Sequence, residues 1–246
     1  NLYAVASNQN KKIKNYADIR KIPNYYKSYD ELIKDNNIDI VYISTPNHLH
    51  AEWIIKAVQE KKHVLCEKPI TISINEINKI KKIVSKYGVI VQEATMMRFH
   101  PQTMYIRKLL KNKSIGETRY ISAIFSINME NLNDIRFKYK KGGGSLWDLG
   151  SYCVSFARFV LQKEPVKVFA KKIHVSGKHK VDASLSGYII FEGGIEMQFF
   201  SSFRSFPFEE ITIIGDKGTI AITQPYCNHE EQGFVNLIKE KKIKSK

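Results

Sequence analysis

His63-Val64-Leu65-Cys66-Glu67-Lys68-Pro69 is the stretch that decides the fold of this chain and most of its chemistry. A short apolar strand ends here, and a carboxylate, an ammonium and a proline follow directly. Ligands of an open parallel sheet bind just beyond the carboxyl ends of its strands, so Lys68 falls where chemistry would take place. Pro69 also favours an extended backbone at Lys68, and this restriction limits the directions in which the lysine side chain can point. The same residues would equally suit an ordinary Lys-Pro turn, and the stretch alone does not decide between the two interpretations.

The chain around this stretch alternates short apolar strands with amphipathic helices. We predict strands over residues 2–6, 39–43, 64–66 and 89–91. Ser28 and Ser73 each precede a glutamate by three residues, which is the capping-box spacing of a helix start. The unbroken apolar run over 39–43 is typical of a strand that helices cover on both faces. This alternation indicates parallel βαβ units and a doubly wound, Rossmann-type α/β sheet.

The pattern changes after residue 94, where long strands follow one another with tight turns. Pro101 is predicted to begin a helix, and Gly142-Gly143-Gly144 precedes another over 146–161. The predicted strands cover residues 120–127, 166–175, 183–191, 195–203, 210–214 and 219–223. Such a series indicates a mostly antiparallel sheet backed by helices, an α+β arrangement. We therefore predict two domains, 1–94 and 95–246.

The composition is that of an ordinary globular protein, with 43% hydrophobic and 26% charged residues among 246. No apolar run approaches the roughly 18 residues of a membrane span, so we expect no membrane association. Three cysteines at scattered positions, Cys66, Cys153 and Cys227, indicate reduced thiols and a cytoplasmic location.

The formal net charge of +15 raises the question of a nucleic-acid partner. The basic residues are dispersed, however, and many lie on polar faces of predicted helices, as Lys79, Lys82 and Lys86 do. We therefore interpret them as a solvated surface and expect no nucleic-acid binding. The densest basic cluster, over 239–246, is predicted to be frayed.

Asp148 and Tyr152 lie four residues apart on the helix after the glycine triplet, a spacing that puts both on one face. A tyrosine hydroxyl with a pKa of roughly 10 needs help to act as an acid or base, and an ammonium such as that of Lys68 would lower this pKa. Alternatively, Tyr152 packs in the core and Asp148 caps the helix. The glycine triplet favours a site, since it allows close approach of the backbone to a ligand or a neighbouring strand.

The segment Thr45-Pro46-Asn47-His48-Leu49-His50 ends another parallel strand and begins a helix. Its hydroxyl, amide and imidazoles lie at the predicted ligand edge, where free helix N–H groups bind phosphate or ribose. We favour ribose contact and capping by Asn47 and His50 over a metal at His48 and His50, because no cysteine or carboxylate stands at a matching spacing.

Arg98 lies in the segment Met96-Met97-Arg98-Phe99-His100-Pro101, at the predicted domain junction. Its guanidinium is expected to pair with a phosphate or with Glu93, while the Met and aromatic neighbours are expected in the core.

Together these motifs resemble the Gfo/Idh/MocA oxidoreductases, in family order and over most of the chain. The branch it looks closest to holds glucose-fructose oxidoreductase-like and dihydrodiol dehydrogenase-like enzymes, which carry Tyr four residues after the Asp. The matching stretches are 42–50, Glu67-Lys68-Pro69, 93–102, Asn133-Asp134-Ile135-Arg136 and 142–152.

The resemblance implies a nicotinamide cofactor in domain 1–94 and a small polyhydroxylated substrate against the sheet of domain 95–246. It implies that Lys68 holds the substrate oxygen and the cofactor ribose. It also implies that Tyr152 is the acid/base and that Asp148 orients the substrate or the tyrosine. It further implies homo-oligomers through the second-domain sheet. The residues expected to bind the cofactor are Ser7, Asn8, Thr45, Pro46, Asn47, His50, Glu67, Lys68 and Arg98.

The residues at the end of the first predicted strand indicate whether the chain prefers NAD or NADP. An acidic residue there would bind the ribose 2′-hydroxyl of NAD. This chain has Ser7 and Asn8, followed by Lys11 and Lys12, and a hydroxyl with nearby cations suits a 2′-phosphate. We therefore favour NADP.

The resemblance also implies a strand and a G-x-G-x-x-G turn about thirty residues before Asn1, in the centre of the sheet. It implies further sheet and a closing helix after the C-terminus. We therefore expect a fragment truncated at the N-terminus and at the C-terminus. The alternative to an active dehydrogenase is then a catalytically inactive fragment or remnant of one, because that glycine turn seats the cofactor.

Overall fold

The structure of the chain is a computed structural model that describes residues 2–8, 10–174, 180–226 and 233–239. Cys227 and the lysine-rich tail beyond Lys239, both singled out above, lie outside these residues. The chain divides into two compact units, residues 1–94 and 95–246. Among the described residues, no helix combines the length and apolar character needed to cross a bilayer.

The first unit alternates strands and helices and forms two parallel sheets. One sheet pairs β1 with β2, and the other has the order β3-β4-β5. The predicted Rossmann-like parallel arrangement is confirmed. The elements are β1 (Ala4–Ala6), α1 (Asn10–Ile19), β2 (Asn24–Tyr26), α2 (Tyr29–Lys34), β3 (Ile40–Ile43), α3 (His50–Gln59), β4 (His63–Glu67), α4 (Ile74–Tyr87) and β5 (Val91–Ala94).

Two helix starts of this unit carry the predicted capping sequence, and only one uses it. The Ser28 hydroxyl accepts the Glu31 backbone N–H at 3.2 Å, which is the serine half of a capping box, and the Glu31 carboxylate accepts the Lys27 N–H at 3.3 Å. At α4 the Ser73 side chain makes no capping bond. The hydroxyl of Thr71 bonds the Glu76 carboxylate at 2.5 Å instead, so the second predicted capping box is wrong.

The core of the first unit lies between α3 and the sheet β3-β4-β5. Trp53, Ile54 and Val58 of α3 are buried there. On β3, Val41 and Ile43 are buried, but Ile40 and Tyr42 on the opposite face are 64% and 55% exposed. The prediction that both faces of this strand are covered is therefore wrong for the residues that the structure describes.

Among the described residues, the second unit is a seven-stranded sheet with two α-helices. Its order is β12-β11-β10-β6-β9-β8-β7, and neighbours are antiparallel except the parallel pair β6–β9. This confirms the predicted mostly antiparallel sheet. The elements are α5 (Pro101–Lys111), β6 (Thr118–Asn128), α6 (Ser151–Leu161), β7 (Pro165–His174), β8 (Asp182–Phe191), β9 (Ile195–Ser202), β10 (Arg204–Gly215), β11 (Gly218–Thr223) and β12 (Val235–Lys239).

The helix α6 packs on this sheet and supplies much of its core. Cys153, Phe156 and Val160 of α6 are buried with Phe125 and Met197 of the sheet. Two apolar side chains of the edge strand β7, Val168 and Phe169, are each 60% exposed.

Candidate active site

Lys68 lies at the carboxyl end of β4, held between two glutamates that fix the backbone around it. The Glu67 carboxylate accepts the Tyr42 phenol and, at 3.2 Å, the Lys68 backbone N–H. The Glu93 carboxylate, at the end of β5, accepts the Ile70 backbone N–H at 3.0 Å. The Lys68–Pro69 peptide bond between these contacts is cis. Carboxylates from neighbouring strands thus hold the segment that presents the lysine.

Two side chains near Lys68, those of Tyr42 and Cys66, are kept in their neutral forms. The hydrogen bond from Tyr42 to Glu67, aided by burial, raises the pKa of Tyr42 to about 12. Burial raises the pKa of the Cys66 thiol to about 12, and the charges of Glu67 and Glu93 act in the same direction. Near neutral pH Tyr42 is therefore a hydrogen-bond donor and Cys66 an unreactive thiol.

His50 joins the loop after β3 to the loop after β4. Its ring is fully buried, with Nδ1 2.8 Å from the Pro69 carbonyl oxygen and Nε2 2.7 Å from that of Thr45. Both partners only accept hydrogen bonds, so a neutral imidazole donates to one of them at a time. This geometry makes His50 a brace between the two loops, and its contact with a cofactor ribose stays a prediction.

Two buried polar atoms on the loop after β3 have no hydrogen-bond partner among the described residues, Thr45 Oγ1 and His48 Nδ1. A buried polar group left unsatisfied costs about 1–3 kcal/mol. Asn47 begins a short 3₁₀ turn in the same loop, directly after Pro46. Because dinucleotides bind at this edge of such sheets, the orphaned atoms fit a cofactor rich in hydroxyl and amide groups.

Ser7 and Asn8 follow β1, the strand end where we expect the cofactor ribose. The Ser7 backbone N–H bonds the Tyr26 carbonyl at 3.4 Å, and Asn8 is exposed. Lys12 is exposed nearby on α1, whereas the side chain of Lys11 lies outside the described residues.

The helix predicted over 146–161 is present, and its first part, Leu146–Gly150, which carries Asp148, is a π-helical turn. The Ser151 N–H bonds the Leu146 carbonyl five residues back, and α6 begins only at Ser151. Such single π turns inside helices occur often at functional sites. Asp148 therefore lies on the π turn and Tyr152 in the first turn of α6.

Asp148 is held by Arg136, a residue to which the sequence reasoning gave no role. Arg136 Nε donates to Asp148 Oδ2 at 2.7 Å, and Nη1 lies 3.3 Å from Asp134 Oδ1. That Asp134 oxygen also accepts the Arg136 backbone N–H at 2.8 Å. The only signal was the stretch 133–136 within the family resemblance.

The glycine triplet allows the π turn to lie against two neighbouring segments. A Cβ on Gly143 would fall 2.3 Å from the Arg136 carbonyl oxygen, and one on Gly144, at φ +127°, 2.3 Å from Asp182 Oδ1. The other Asp182 oxygen accepts the Ser145 hydroxyl and the Leu146 N–H, each at 2.7 Å. Asp182 begins β8, so the close approach is to a neighbouring strand.

Tyr152 is only 8% exposed, and aromatic rings fix its orientation. Phe125 meets it edge-on with centroids 5.6 Å apart, and Tyr226 lies 5.9 Å away. The Tyr226 hydroxyl lies 3.3 Å from the sulfur of Cys153, the next residue on α6. The ring thus packs in the core, as the alternative interpretation expects, and its acid/base role stays a prediction.

Arg98 is engaged within the second unit. Its Nη2 and Nε lie 2.7 and 3.0 Å from the Ser155 hydroxyl, and its guanidinium lies 5.9 Å from the Phe159 ring. Its contact with a phosphate stays a prediction. The parts of the chain that the structure describes contain no group of three or more His, Cys, Asp or Glu side chains able to hold a metal ion.

Comparison with known proteins matches both units to one family. A model described as "Oxidoreductase family, NAD-binding Rossmann fold" matches residues 1–95, and one described as "GFO/IDH/MocA C-terminal domain" matches residues 103–221. The trans-1,2-dihydrobenzene-1,2-diol dehydrogenase of Sus scrofa is 30% identical over 231 residues, 92% of this chain and 68% of that protein. The D-xylose 1-dehydrogenase (NADP(+)) 2 of Haloferax volcanii is 36% identical over 201 residues, 81% of this chain and 61% of that protein.

Solved structures share the fold. An aldose-aldose oxidoreductase from Caulobacter crescentus, complexed with glycerol, superposes with a TM-score of 0.89 at 24% identity. The superposition covers 98% of this chain and 75% of that one. The chain spans 60% and 66% of the length of the first two curated relatives that it matches.

Proposed function

Because the chain belongs to the Gfo/Idh/MocA family of oxidoreductases, we propose that its protein is an NAD(P)-dependent dehydrogenase acting on a sugar, polyol or dihydrodiol. The observation that carries the proposal is the pair of braced loops after β3 and β4. They bring the orphaned Thr45 Oγ1 to the same sheet edge as Lys68, joined through His50. Unit 1–94 would bind the cofactor and unit 95–246 the substrate.

The proposed chemistry is the oxidation of a carbinol and its reverse. A nicotinamide held by unit 1–94 would supply the hydride acceptor for the carbinol carbon and the hydride donor for the reverse reaction. Tyr152 takes the hydroxyl proton during oxidation and gives it back during reduction. As the family resemblance implies, the Lys68 ammonium would hold the substrate oxygen, where a positive charge favours the alkoxide. Asp148, held by Arg136, orients the hydroxyl.

We propose NADP as the preferred cofactor. Ser7 and Asn8 at the end of β1 offer no carboxylate for a ribose 2′-hydroxyl, and the exposed ammonium of Lys12 follows on α1. The name of the Haloferax volcanii relative also specifies NADP(+). Glu67, Pro46, Asn47 and Arg98 remain proposed cofactor contacts, of which Glu67 acts through the backbone that presents Lys68.

The proposal includes a small neutral polyhydroxylated substrate and a homo-oligomer formed through the second-unit sheet. The 60% exposed ring of Phe169 lies 6.2 Å from the ring of Tyr188 on the neighbouring strand, and this aromatic pair on one face of the sheet supports such an interface. A cytoplasmic location is supported by the unpaired, buried thiols of Cys66 and Cys153.

The test is cofactor reduction at 340 nm by the intact protein with D-xylose, trans-dihydrobenzenediol and myo-inositol. We expect at least one substrate to reduce NADP faster than NAD, and Tyr152→Phe to abolish this turnover. Binding of NADPH without turnover of any substrate would support the inactive alternative. A rate that Tyr152→Phe leaves unchanged would contradict the assigned role of Tyr152.

A further inference from the structure

The carboxylate of Asp182, the first residue of β8, lies at the start of the π turn that carries Asp148. Its Oδ2 accepts the Leu146 backbone N–H and the Ser145 hydroxyl, each at 2.7 Å. The start of a helix leaves backbone N–H groups without an intrahelical partner, and a carboxylate there also interacts favourably with the helix dipole. Asp182 therefore caps the π turn from a neighbouring strand.

The hydroxyl that bonds Asp182 belongs to a buried polar network. Ser145 and Ser201 are both fully buried, and their hydroxyl oxygens lie 3.2 Å apart. Buried polar groups need hydrogen-bond partners, so a change at one member of this network is felt by the others. Through Ser145, the residue directly before the π turn is tied to β9 as well as to β8.

The backbone before the turn is fitted to the same carboxylate. A Cβ on Gly144 would lie 2.3 Å from Asp182 Oδ1, so only glycine allows this approach. The Gly144 carbonyl accepts the Asp148 backbone N–H at 3.1 Å, and the Gly144 N–H donates to the Arg136 carbonyl at 2.9 Å. One oxygen of Asp182 thus holds the start of the turn, and the other lies against the glycine that bonds Asp148.

We infer that Asp182 is a positioning residue for the proposed dehydrogenation, which keeps residues 146–150 in the π form and so sets the direction of Asp148 relative to Tyr152. The inference rests on the proposed function. π turns are rare, which indicates that contacts outside the helix hold this one. Relaxation to an α-helix would rotate the start of the turn by up to about 100°, the angle that one residue spans in an α-helix. Asp182 acts through the turn, since both of its oxygens face it.

A role in stability alone predicts a different outcome, and β8 offers a matched control for it. The hydroxyls of Ser184 and Ser202 lie 2.8 Å apart, and both residues are buried. Ser184→Ala therefore removes a buried hydrogen bond two residues along the same strand, but none that reaches the π turn. If Asp182 only stabilised the fold, Asp182→Ala and Ser184→Ala would affect activity alike.

The kinetic experiment measures kcat and KM of the intact protein on a substrate that the parent accepts. Asp182→Ala should lower kcat about tenfold or more and leave the KM for the cofactor unchanged, because misplacing a catalytic group by about 1 Å costs up to 100-fold. Asp182→Asn keeps an oxygen that accepts both bonds and should restore kcat to within about threefold of the parent. Ser184→Ala should leave kcat unchanged. An equal loss of kcat in Asp182→Ala and Ser184→Ala would overturn the inference.

A second comparison shows whether Asp182 acts through Asp148. In the Asp148→Asn background, Asp182→Ala should lower kcat by less than about threefold, since residues that act as a unit are not additive. The same loss in both backgrounds would overturn the inference. Ser145→Ala, which removes one of the two bonds, should give a smaller loss in the same direction and replaces Asp182→Ala if that variant does not fold.

Amide hydrogen exchange tests the turn without any turnover. Asp182→Ala should speed exchange at the amides of Leu146 and Ser151 about tenfold or more, and Ser184→Ala should leave it unchanged. If the parent protein turns over none of the substrates, the proposed function fails, and exchange alone decides whether Asp182 holds the turn. Unchanged exchange at these amides in Asp182→Ala would overturn the inference in an active or an inactive protein.

Discussion

Replacing Arg136 with glutamine should uncouple Asp148 from the segment 134–138, and the size of the effect follows from the geometry. The Nε–Oδ2 distance of 2.7 Å is that of a charge-assisted hydrogen bond. Such bonds to charged groups contribute about 1.5–3 kcal/mol when buried, whereas fully exposed ion pairs contribute about 0.2–1 kcal/mol. The side chains of Arg136 and Asp148 are 44% and 21% exposed, so we expect a coupling energy of about 1–2 kcal/mol.

The assay is a double-mutant cycle of Arg136→Gln and Asp148→Asn, read from chemical denaturation. Each single variant loses the pair, so the double variant should be less destabilised than the sum of the two by the coupling energy. The pair Arg158–Glu164, at 2.7 Å with both side chains well exposed, is the matched control and should couple more weakly. Independent sites add to within about 0.3–0.5 kcal/mol, so a coupling energy of Arg136 with Asp148 inside that range would refute the reasoning.

Three further outcomes follow from other contacts. Gly143→Ala should lower the unfolding free energy by about 1–3 kcal/mol in a denaturation curve, because its Cβ would meet the Arg136 carbonyl oxygen at 2.3 Å. Cys66 and Cys153 should resist iodoacetamide at pH 8 in the folded chain and react in denaturant, as mapped by mass spectrometry, since burial raises the pKa of both thiols to about 12. The Tyr42–Glu67 bond raises the pKa of Tyr42, so its stabilisation is complete below about pH 10 and is lost as the pH rises through about 12. In an absorbance titration, the Tyr42→Phe variant should therefore show a smaller change near pH 12 than the parent chain, and the same change near pH 10.

The order of strands and helices could be predicted because it is written in local periodicity. Apolar runs at 39–43 and 64–66 mark strands of the first unit wherever the rest of the chain lies. Which faces of these strands are covered is a tertiary property, and the run at 39–43 could not show that Ile40 remains exposed. The unused capping box at Ser73 is similar, because Thr71, outside the motif, takes its glutamate.

The candidate site was predictable in its residue types and less so in its contacts. Lys68 and Asp148 stand out through motifs, but the π turn that presents Asp148 depends on Asp182, 34 positions later in the chain. The bond from Arg136 to Asp148 likewise joins the 3₁₀ turn Ile135–Phe137 to the π turn, and no helical or strand spacing relates the two residues. His50 was expected at a ligand, yet its partners are carbonyl oxygens of two loops that only the folded chain brings together.

The central claim is that Lys68 binds the reacting oxygen in a nicotinamide-dependent oxidation. The most direct measurement compares kcat/KM for NADP reduction by the intact protein with its Lys68→Met and Lys82→Met variants, all three confirmed as folded by circular dichroism. Lys82 is an exposed lysine of α4 in the same unit, so its replacement controls for the loss of a positive charge. The account predicts a loss of about 100-fold or more for Lys68→Met and no change for Lys82→Met. Near-normal turnover by Lys68→Met on every accepted substrate would contradict it.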